Sequence, residues 1–254
     1  ELELSGQYRE KEHEEFFTYF TWEQFTDQEF LLCPPVVAVG GDGAMYDIGF
    51  QNLSRAMMSG KPIKILVVDT QVYSNTCGQA CTSGFFGQVS DMAQFGKALQ
   101  GKEEVRKEIG LIAMAHRTTY VMQSTMAHAN HMIESFVQGL MSRRPAVFNI
   151  YTPCQPEHGI GDDMGAAQAK LAVESRAYPL FRYDPRADGV FGSRISLDGN
   201  PQSNSLLVTG EDGETCTPID WAFAQRRFAT HFKPLSQSAP SPVPVQEWLL
   251  LDAP

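Results

Sequence analysis

A run of apolar residues, Val36-Val37-Ala38-Val39, stops abruptly at Gly40-Gly41-Asp42-Gly43. A chain does this where a buried parallel strand turns sharply into a helix, and glycines at the turn let the backbone come close to a ligand. The segment Asp47 to Ser59 then places Ile48, Leu53, Ala56 and Met57 near helical spacing, with Gly60 and Pro62 as stop signals. A second apolar run, Ile63-Lys64-Ile65-Leu66-Val67-Val68, closes on Asp69-Thr70. Ligands of an open parallel sheet sit at the carboxyl ends of its strands, so Asp42 and Thr70 are expected at one edge, facing one site.

The residue types at that edge suit a diphosphate bridged by a divalent metal. Backbone N–H groups at a helix N-terminus attract phosphate oxygens, and a hard carboxylate oxygen holds Mg²⁺ while neutral oxygens and water complete an octahedron. Asp42 offers the carboxylate, Thr70 a hydroxyl, and Val72 a backbone carbonyl two residues further on. A Gly-Asp-Gly turn alone occurs in many α/β domains that bind nothing.

Together with the segments C-terminal to it, the turn is distinctive. Gly41-Asp42-Gly43, Tyr46-Asp47-Ile48-Gly49, Asp69-Thr70-Gln71-Val72-Tyr73-Ser74-Asn75-Thr76, Gly78-Gln79, Thr152-Pro153-Cys154 and Tyr178-Pro179-Leu180-Phe181-Arg182-Tyr183-Asp184-Pro185 stand in this order. The set resembles the thiamine-diphosphate domain of the pyruvate:ferredoxin (flavodoxin) oxidoreductases, well from about Pro35 to Pro185 and loosely elsewhere.

The resemblance implies that Asp42, Thr70 and the Val72 carbonyl bind Mg²⁺. It places Asn75, as a catalytic residue, beside the thiazolium and the 2-oxoacid, and gives a cofactor-binding set of Gly41, Asp42, Gly43, Thr70, Val72, Asn75 and Thr76. Cys154 matches a ligand of the [4Fe–4S] cluster nearest the thiamine. The implied activity is oxidative decarboxylation of a 2-oxoacid, pyruvate first among them, with the acyl group passing to coenzyme A and electrons leaving through iron–sulfur clusters to ferredoxin or flavodoxin. The pyrimidine-side glutamate domain and the other cluster cysteines of the family match nothing here. Other domains or chains are therefore expected as partners, in a homo-oligomer, and this polypeptide alone is not expected to be active. The chain departs from the family at Cys77, where glycine is usual.

A thiamine-dependent decarboxylase or synthase without iron–sulfur centres shares the Gly-Asp-Gly strand, and a non-catalytic structural domain of a larger assembly is the other alternative. The first residue is Glu1 and not methionine, so a piece of a longer chain is expected; single-chain family members are several times this length, with the thiamine domain near the C-terminus.

Composition narrows the setting. A net charge of −10 and a pI near 5.0 leave no basic face for nucleic acid, and no run of about 18 apolar residues offers a membrane span. The five cysteines, at 33, 77, 81, 154 and 216, have no disulfide-framework spacing, and no signal peptide precedes them. A soluble protein of the cytoplasm is expected.

The whole reads as an α/β protein with a doubly wound, mostly parallel sheet of the thiamine-diphosphate-binding kind and an irregular C-terminal extension. Its divisions are an aromatic, helical segment (1–34), the diphosphate-side domain (35–185), an irregular stretch with a helix (186–232) and a proline-rich arm (233–254). In the first segment, Thr26-Asp27-Gln28-Glu29 is a capping signal. Helices are expected from Lys102 to Ala115, Asn130 to Arg144, Ala166 to Ala177 and Thr217 to about Phe232, and strands at Thr119–Ser124 and Ala146–Tyr151. His128 and His131 stand three apart without a supporting carboxylate or cysteine, which argues against zinc. His158 falls near a cluster or substrate, and Cys77 with Cys81 reads as a pair of ordinary loop thiols.

Overall fold

The structure, a computed structural model, describes residues 2–18, 21–95, 100–201, 208–209 and 215–232. The side chains of Phe16, Phe17, Tyr19 and Phe20, the turn at Glu211-Asp212-Gly213 and the arm from Lys233 to Pro254 lie outside the described residues. Two helices come first, α1 (Glu10–Thr18) and α2 (Asp27–Leu32). Thr26 caps α2: its hydroxyl accepts from Glu29 N at 3.3 Å, and Glu29 Oε2 accepts from Thr26 N at 2.9 Å. Arg143 ties α2 to the domain, pairing with Asp27 at 2.6 Å and lying 5.2 Å over the Phe30 ring.

The chain then runs through β1 (Val37–Gly41), a π-helical turn (Gly43–Ile48), α3 (Phe50–Met58) and β2 (Lys64–Asp69). A small antiparallel ladder, β3 (Gln94–Phe95) with β4 (Gln100–Gly101), precedes α4 (Ile109–Ala115), β5 (Tyr120–Thr125), α5 (Ala129–Met141) and β6 (Ala146–Tyr151). After these come α6 (Gln155–His158), α7 (Gly165–Glu174), β7 (Phe181–Tyr183), β8 (Ile195–Ser196), the pair β9 (Val208–Thr209) and β10 (Thr215–Cys216), and α8 (Pro218–Phe223).

The main sheet has the order β1-β2-β6-β5-β7-β8. Its first four strands are parallel; at the far side β7 runs antiparallel to β5, and β8 antiparallel to β7. Successive side chains of a strand point to opposite faces, and each face has its own core. Ile65, Val67, Val121 and Val147 meet Leu53 and Met57 of α3 and Ile109, Ala113 and Met114 of α4; Tyr120, Met122, Ala146 and Phe148 meet Met132 and Phe136 of α5. Helices thus cover both faces, as the alternation of strands and helices predicts. Gly41 pairs with Val68, and Asp69 and Thr125 both pair with Tyr151, so the C-terminal ends of the parallel strands are level.

Three expectations are corrected. The run Val36 to Val39 is not buried: Val37 is 41% and Val39 64% exposed, because among the described residues β1 is an edge strand with a single neighbour while α4 and α5 pack over β5 and β6. Lys102 to Glu108 is not helical, and α4 begins only at Ile109. There Arg106 is drawn inward to pair with Asp69, and a buried ion pair outweighs the weak local preference of a Lys/Glu-rich stretch for helix. The helix from Thr217 ends at Phe223: Gln225 Nε2 donates back to Trp221 O at 2.9 Å, and a separate 3₁₀ turn follows at Arg226–His231. No helix among the described residues is long and apolar enough to cross a membrane.

Candidate functional site

At the level edge of β1 and β2, three oxygens converge. Thr70 Oγ1 lies 3.2 Å from Asp42 Oδ1 and 2.9 Å from the Val72 carbonyl oxygen. The Thr70 hydroxyl has one hydrogen for these two acceptors and itself accepts from Ser74 Oγ at 2.7 Å, so lone pairs outnumber protons at this point. The other Asp42 oxygen accepts from Val72 N at 2.9 Å and from Ser83 Oγ at 2.5 Å. Asp42 is 3% exposed, and its side-chain oxygens have only neutral hydrogen-bond donors among the described residues. Burial, together with the nearby Asp69 charge, pushes its carboxyl up to about 6.

The walls behind these oxygens are buried and polar. Asp69 points away from the site, to Arg106 Nη2 at 2.6 Å, and accepts from Tyr46 Oη at 3.1 Å and Gln71 N at 3.1 Å. The Arg106 guanidinium lies 5.2–5.6 Å from the Tyr46, Phe85 and Tyr178 rings and also donates to the Ser83 carbonyl. Arg106 therefore holds both Asp69 and the residue that bonds Asp42. His158 is fully buried, and its Nε2 lies 2.7 Å from Thr70 O. Burial, then the charge of Arg227, holds its pKa well below the usual histidine range, so the ring is neutral; a carbonyl only accepts, so the proton is on Nε2. His158 supports Thr70 rather than facing a cluster or substrate.

The loop after β2 is pinned by Asp47, which accepts from Tyr73 Oη at 3.0 Å, from Thr82 N at 3.3 Å and from the Thr82 hydroxyl, with Lys107 at 3.7 Å. Burial pushes its carboxyl up, but hydrogen bonds from Thr82, Cys81 and Tyr73 outweigh this and the pKa is lowered. Gly43 is needed here, since a Cβ would stand 2.3 Å from the Tyr73 ring; a Cβ on Gly41 would meet only Val68 O at 4.0 Å, which leaves room beside Asp42. Asn75 and Thr76 are exposed at the rim of the loop. Cys77 is also exposed and has φ +72, the left-handed region that favours glycine.

Cys81 is buried, and burial raises its thiol pKa far above the usual range. Cys154 stands half-buried just past β6, at the same sheet edge, as the residue that caps α6. None of the five cysteines is in a disulfide. His128 and His131 turn to hydroxyls of β5: His128 Nδ1 lies 3.0 Å from Thr125 Oγ1, and His131 Nδ1 lies 3.0 Å from Ser124 Oγ.

The donor set fits Mg²⁺. Octahedral Mg²⁺ at about 2.0–2.1 Å from its ligands spaces neighbouring ligand oxygens about 3 Å apart, and the observed separations are 3.2 and 2.9 Å. Among the described residues no three His, Cys, Asp or Glu side chains gather as a metal site. One carboxylate with neutral oxygens is what a cation sharing its shell with water and phosphate takes.

Residues 31–150 match the family model described as thiamine pyrophosphate enzyme, C-terminal TPP binding domain. The chain carries a domain of this thiamine pyrophosphate enzyme family. It is 38% identical over 179 residues to a pyruvate-flavodoxin oxidoreductase of Rhodospirillum rubrum, covering 70% of this chain and 14% of that protein. It is 34% identical over 160 residues to a pyruvate:ferredoxin oxidoreductase of Moorella thermoacetica, covering 63% of this chain and 13% of that one. The chain thus spans about one-seventh of the length of these relatives. A solved 2-oxoglutarate:ferredoxin oxidoreductase of Magnetococcus marinus aligns over 53% of this chain and 51% of its own, at 19% identity and a TM-score of 0.41.

Sequence reasoning found Asp42, Thr70 and Val72, which the structure brings together. It missed Ser83, Arg106 and the role of His158. Ser83 lies in a Gly-rich loop that carries no periodic signal, and Arg106 reaches Asp69 across a stretch that reads locally as helix.

Proposed function

We propose that this chain is the thiamine-diphosphate and Mg²⁺ part of a 2-oxoacid:ferredoxin or flavodoxin oxidoreductase, with pyruvate as the 2-oxoacid and coenzyme A as the acyl acceptor. The observation that carries the proposal is that Thr70 Oγ1 lies 3.2 Å from Asp42 Oδ1 and 2.9 Å from Val72 O, the spacing of neighbouring Mg²⁺ ligands, on a domain of the thiamine pyrophosphate family.

In this reading residues 35–185 form the diphosphate-side domain. Asp42 brings the charge that a cation needs, Thr70 and Val72 bring neutral oxygens, and Ser83 and Val72 N hold the carboxylate so that Oδ1 faces the centre. Gly41 leaves the turn open to phosphate oxygens, Gly43 lets the Tyr73 ring pack against the turn, and Asn75 and Thr76, at the exposed rim, reach the bound cofactor and 2-oxoacid. Thiamine diphosphate, when bound, supplies the nucleophile and electron sink for removing carbon dioxide from the 2-oxoacid. Cys154 serves as one thiolate of a [4Fe–4S] cluster, and its partner thiolates come from other domains or chains. The pyrimidine-side domain comes from elsewhere as well, within a homo-oligomer.

The test is an assay of the complete protein with pyruvate, coenzyme A, thiamine diphosphate, Mg²⁺ and a viologen acceptor. Viologen reduction that needs pyruvate and coenzyme A, with turnover in the usual range of about 1–10³ per second, is expected. No reduction with pyruvate or any other 2-oxoacid contradicts the reading.

A further inference from the structure

Thr70 and Val72 present their oxygens to one centre only because the residue between them turns the chain. Gln71 has φ +61, the left-handed region that side chains other than glycine disfavour. Its backbone is held on both sides: Gln71 N donates to Asp69 Oδ1 at 3.1 Å, and Gln71 O accepts from Gln88 Nε2 at 2.9 Å.

Both glutamines lead to one residue. Arg227 Nη2 donates to Gln71 Oε1 at 2.6 Å and Nη1 to Gln88 Oε1 at 3.0 Å, while Nε donates to Gln225 Oε1 at 2.8 Å. Its guanidinium lies 5.4 and 5.0 Å from the Trp221 and Phe228 rings. Arg227 is 4% exposed and Gln71 fully buried, and the three side-chain acceptors are amide oxygens, none of them a carboxylate. Among the described residues no carboxylate pairs with Arg227; a buried guanidinium so placed is costly, and burial lowers its pKa to about 10. What a guanidinium gives here that an ammonium does not is a planar fork able to grip two neighbouring acceptors at fixed geometry. Arg227 lies outside the residues matched to the thiamine pyrophosphate family model.

We propose that Arg227, through Gln71 and Gln88, is a positioning residue that clamps the left-handed turn between Thr70 and Val72 and so sets their oxygens for the divalent cation. The proposal rests on the Mg²⁺ reading above. It places a determinant of cofactor affinity in the C-terminal extension, acting through side chains that are not themselves the proposed Mg²⁺ ligands.

The test is calorimetric titration of Mg²⁺ and thiamine diphosphate into the complete protein and its variants, with melting temperature recorded alongside. Arg227→Met is expected to weaken binding about tenfold although every ligand is intact, and Arg227→Lys, which cannot fork, to weaken it similarly. Adding Gln71→Gly, which takes the left-handed turn without strain, is expected to recover most of that affinity without recovering the melting temperature. Recovery of affinity alone separates positioning from a general loss of packing. If Arg227→Met does not fold, Gln88→Met detaches the Gln71 carbonyl, leaves the guanidinium in place and is expected to show the same loss and the same recovery. Unchanged affinity in these variants, or no recovery with Gln71→Gly, overturns the clamp. A parent protein that binds no thiamine diphosphate with Mg²⁺ overturns the metal reading instead.

Discussion

Two buried carboxylates end neighbouring strands, and the protein treats them differently. Asp69, the last residue of β2, is fully buried and paired with Arg106 at 2.6 Å inside a cage of three aromatic rings. Asp42, just past β1, is equally enclosed but receives only hydroxyl and amide donors, and its carboxyl rises to about 6. The first charge is neutralised within the fold and serves the fold. The second is short of positive charge beside two further oxygens, and this imbalance is what the proposed Mg²⁺ would relieve.

Breaking the Asp69 pair should have the largest effect on stability. Arg106→Met leaves a buried carboxylate without its counter-charge, with only Tyr46 Oη and Gln71 N to bond it, and is expected to cost about 3–5 kcal/mol, measured by equilibrium denaturation without Mg²⁺. A loss no greater than that of an exposed pair such as Arg9–Glu12 would remove the contrast between the two carboxylates.

The Asp42 charge predicts a pH dependence of the opposite sense to an ordinary salt-bridged aspartate. Its folded pKa is raised from 3.8 to about 6, so the folded state binds more protons than the unfolded state between those values. Stability without divalent cation should therefore fall as pH rises through this window, by about 3 kcal/mol. Asp42→Asn should flatten the profile. A parent profile that rises through the same window would show that Asp42 has a counter-charge of its own.

The smallest effect is expected at Cys77, on the loop that leads away from Asp69. Its φ of +72 is a glycine conformation, and Cys77→Gly should change stability by less than about 1 kcal/mol, since relief of strain is offset by the added freedom of the unfolded chain. Thermal unfolding checks this, and a loss of several degrees would mean that the thiol has a contact of its own.

Much of this was legible in the residues, for physical reasons. Strands β2 and β6 are mostly apolar runs bounded by turn residues, and the carboxyl ends of parallel strands share an edge, which brings Asp42, Thr70 and Val72 together on the strength of chain order alone. The glycine that the resemblance leads one to expect where Cys77 stands is accounted for by the left-handed turn found there. The rest depends on contacts distant in sequence. The apolar run of β1 looks the same whether a strand is central or at an edge, so its exposure had no signal. Arg106, Arg227 and His158 reach the site from segments whose local composition reads as helix or loop, and only the folded packing shows what they hold.

The central claim is that Asp42 supplies the charge for Mg²⁺ and thiamine diphosphate. Calorimetric titration of the pair near neutral pH into the parent and Asp42→Asn tests it most directly, with Thr70→Val as the internal comparison. Asp42→Asn keeps the shape and removes a charge-assisted contact worth about 1.5–3 kcal/mol, so binding should weaken roughly ten- to two-hundred-fold. Thr70→Val should cost only about 1 kcal/mol, because water can fill the vacated position. Equal binding by Asp42→Asn and the parent, or greater damage in Thr70→Val, would contradict the account.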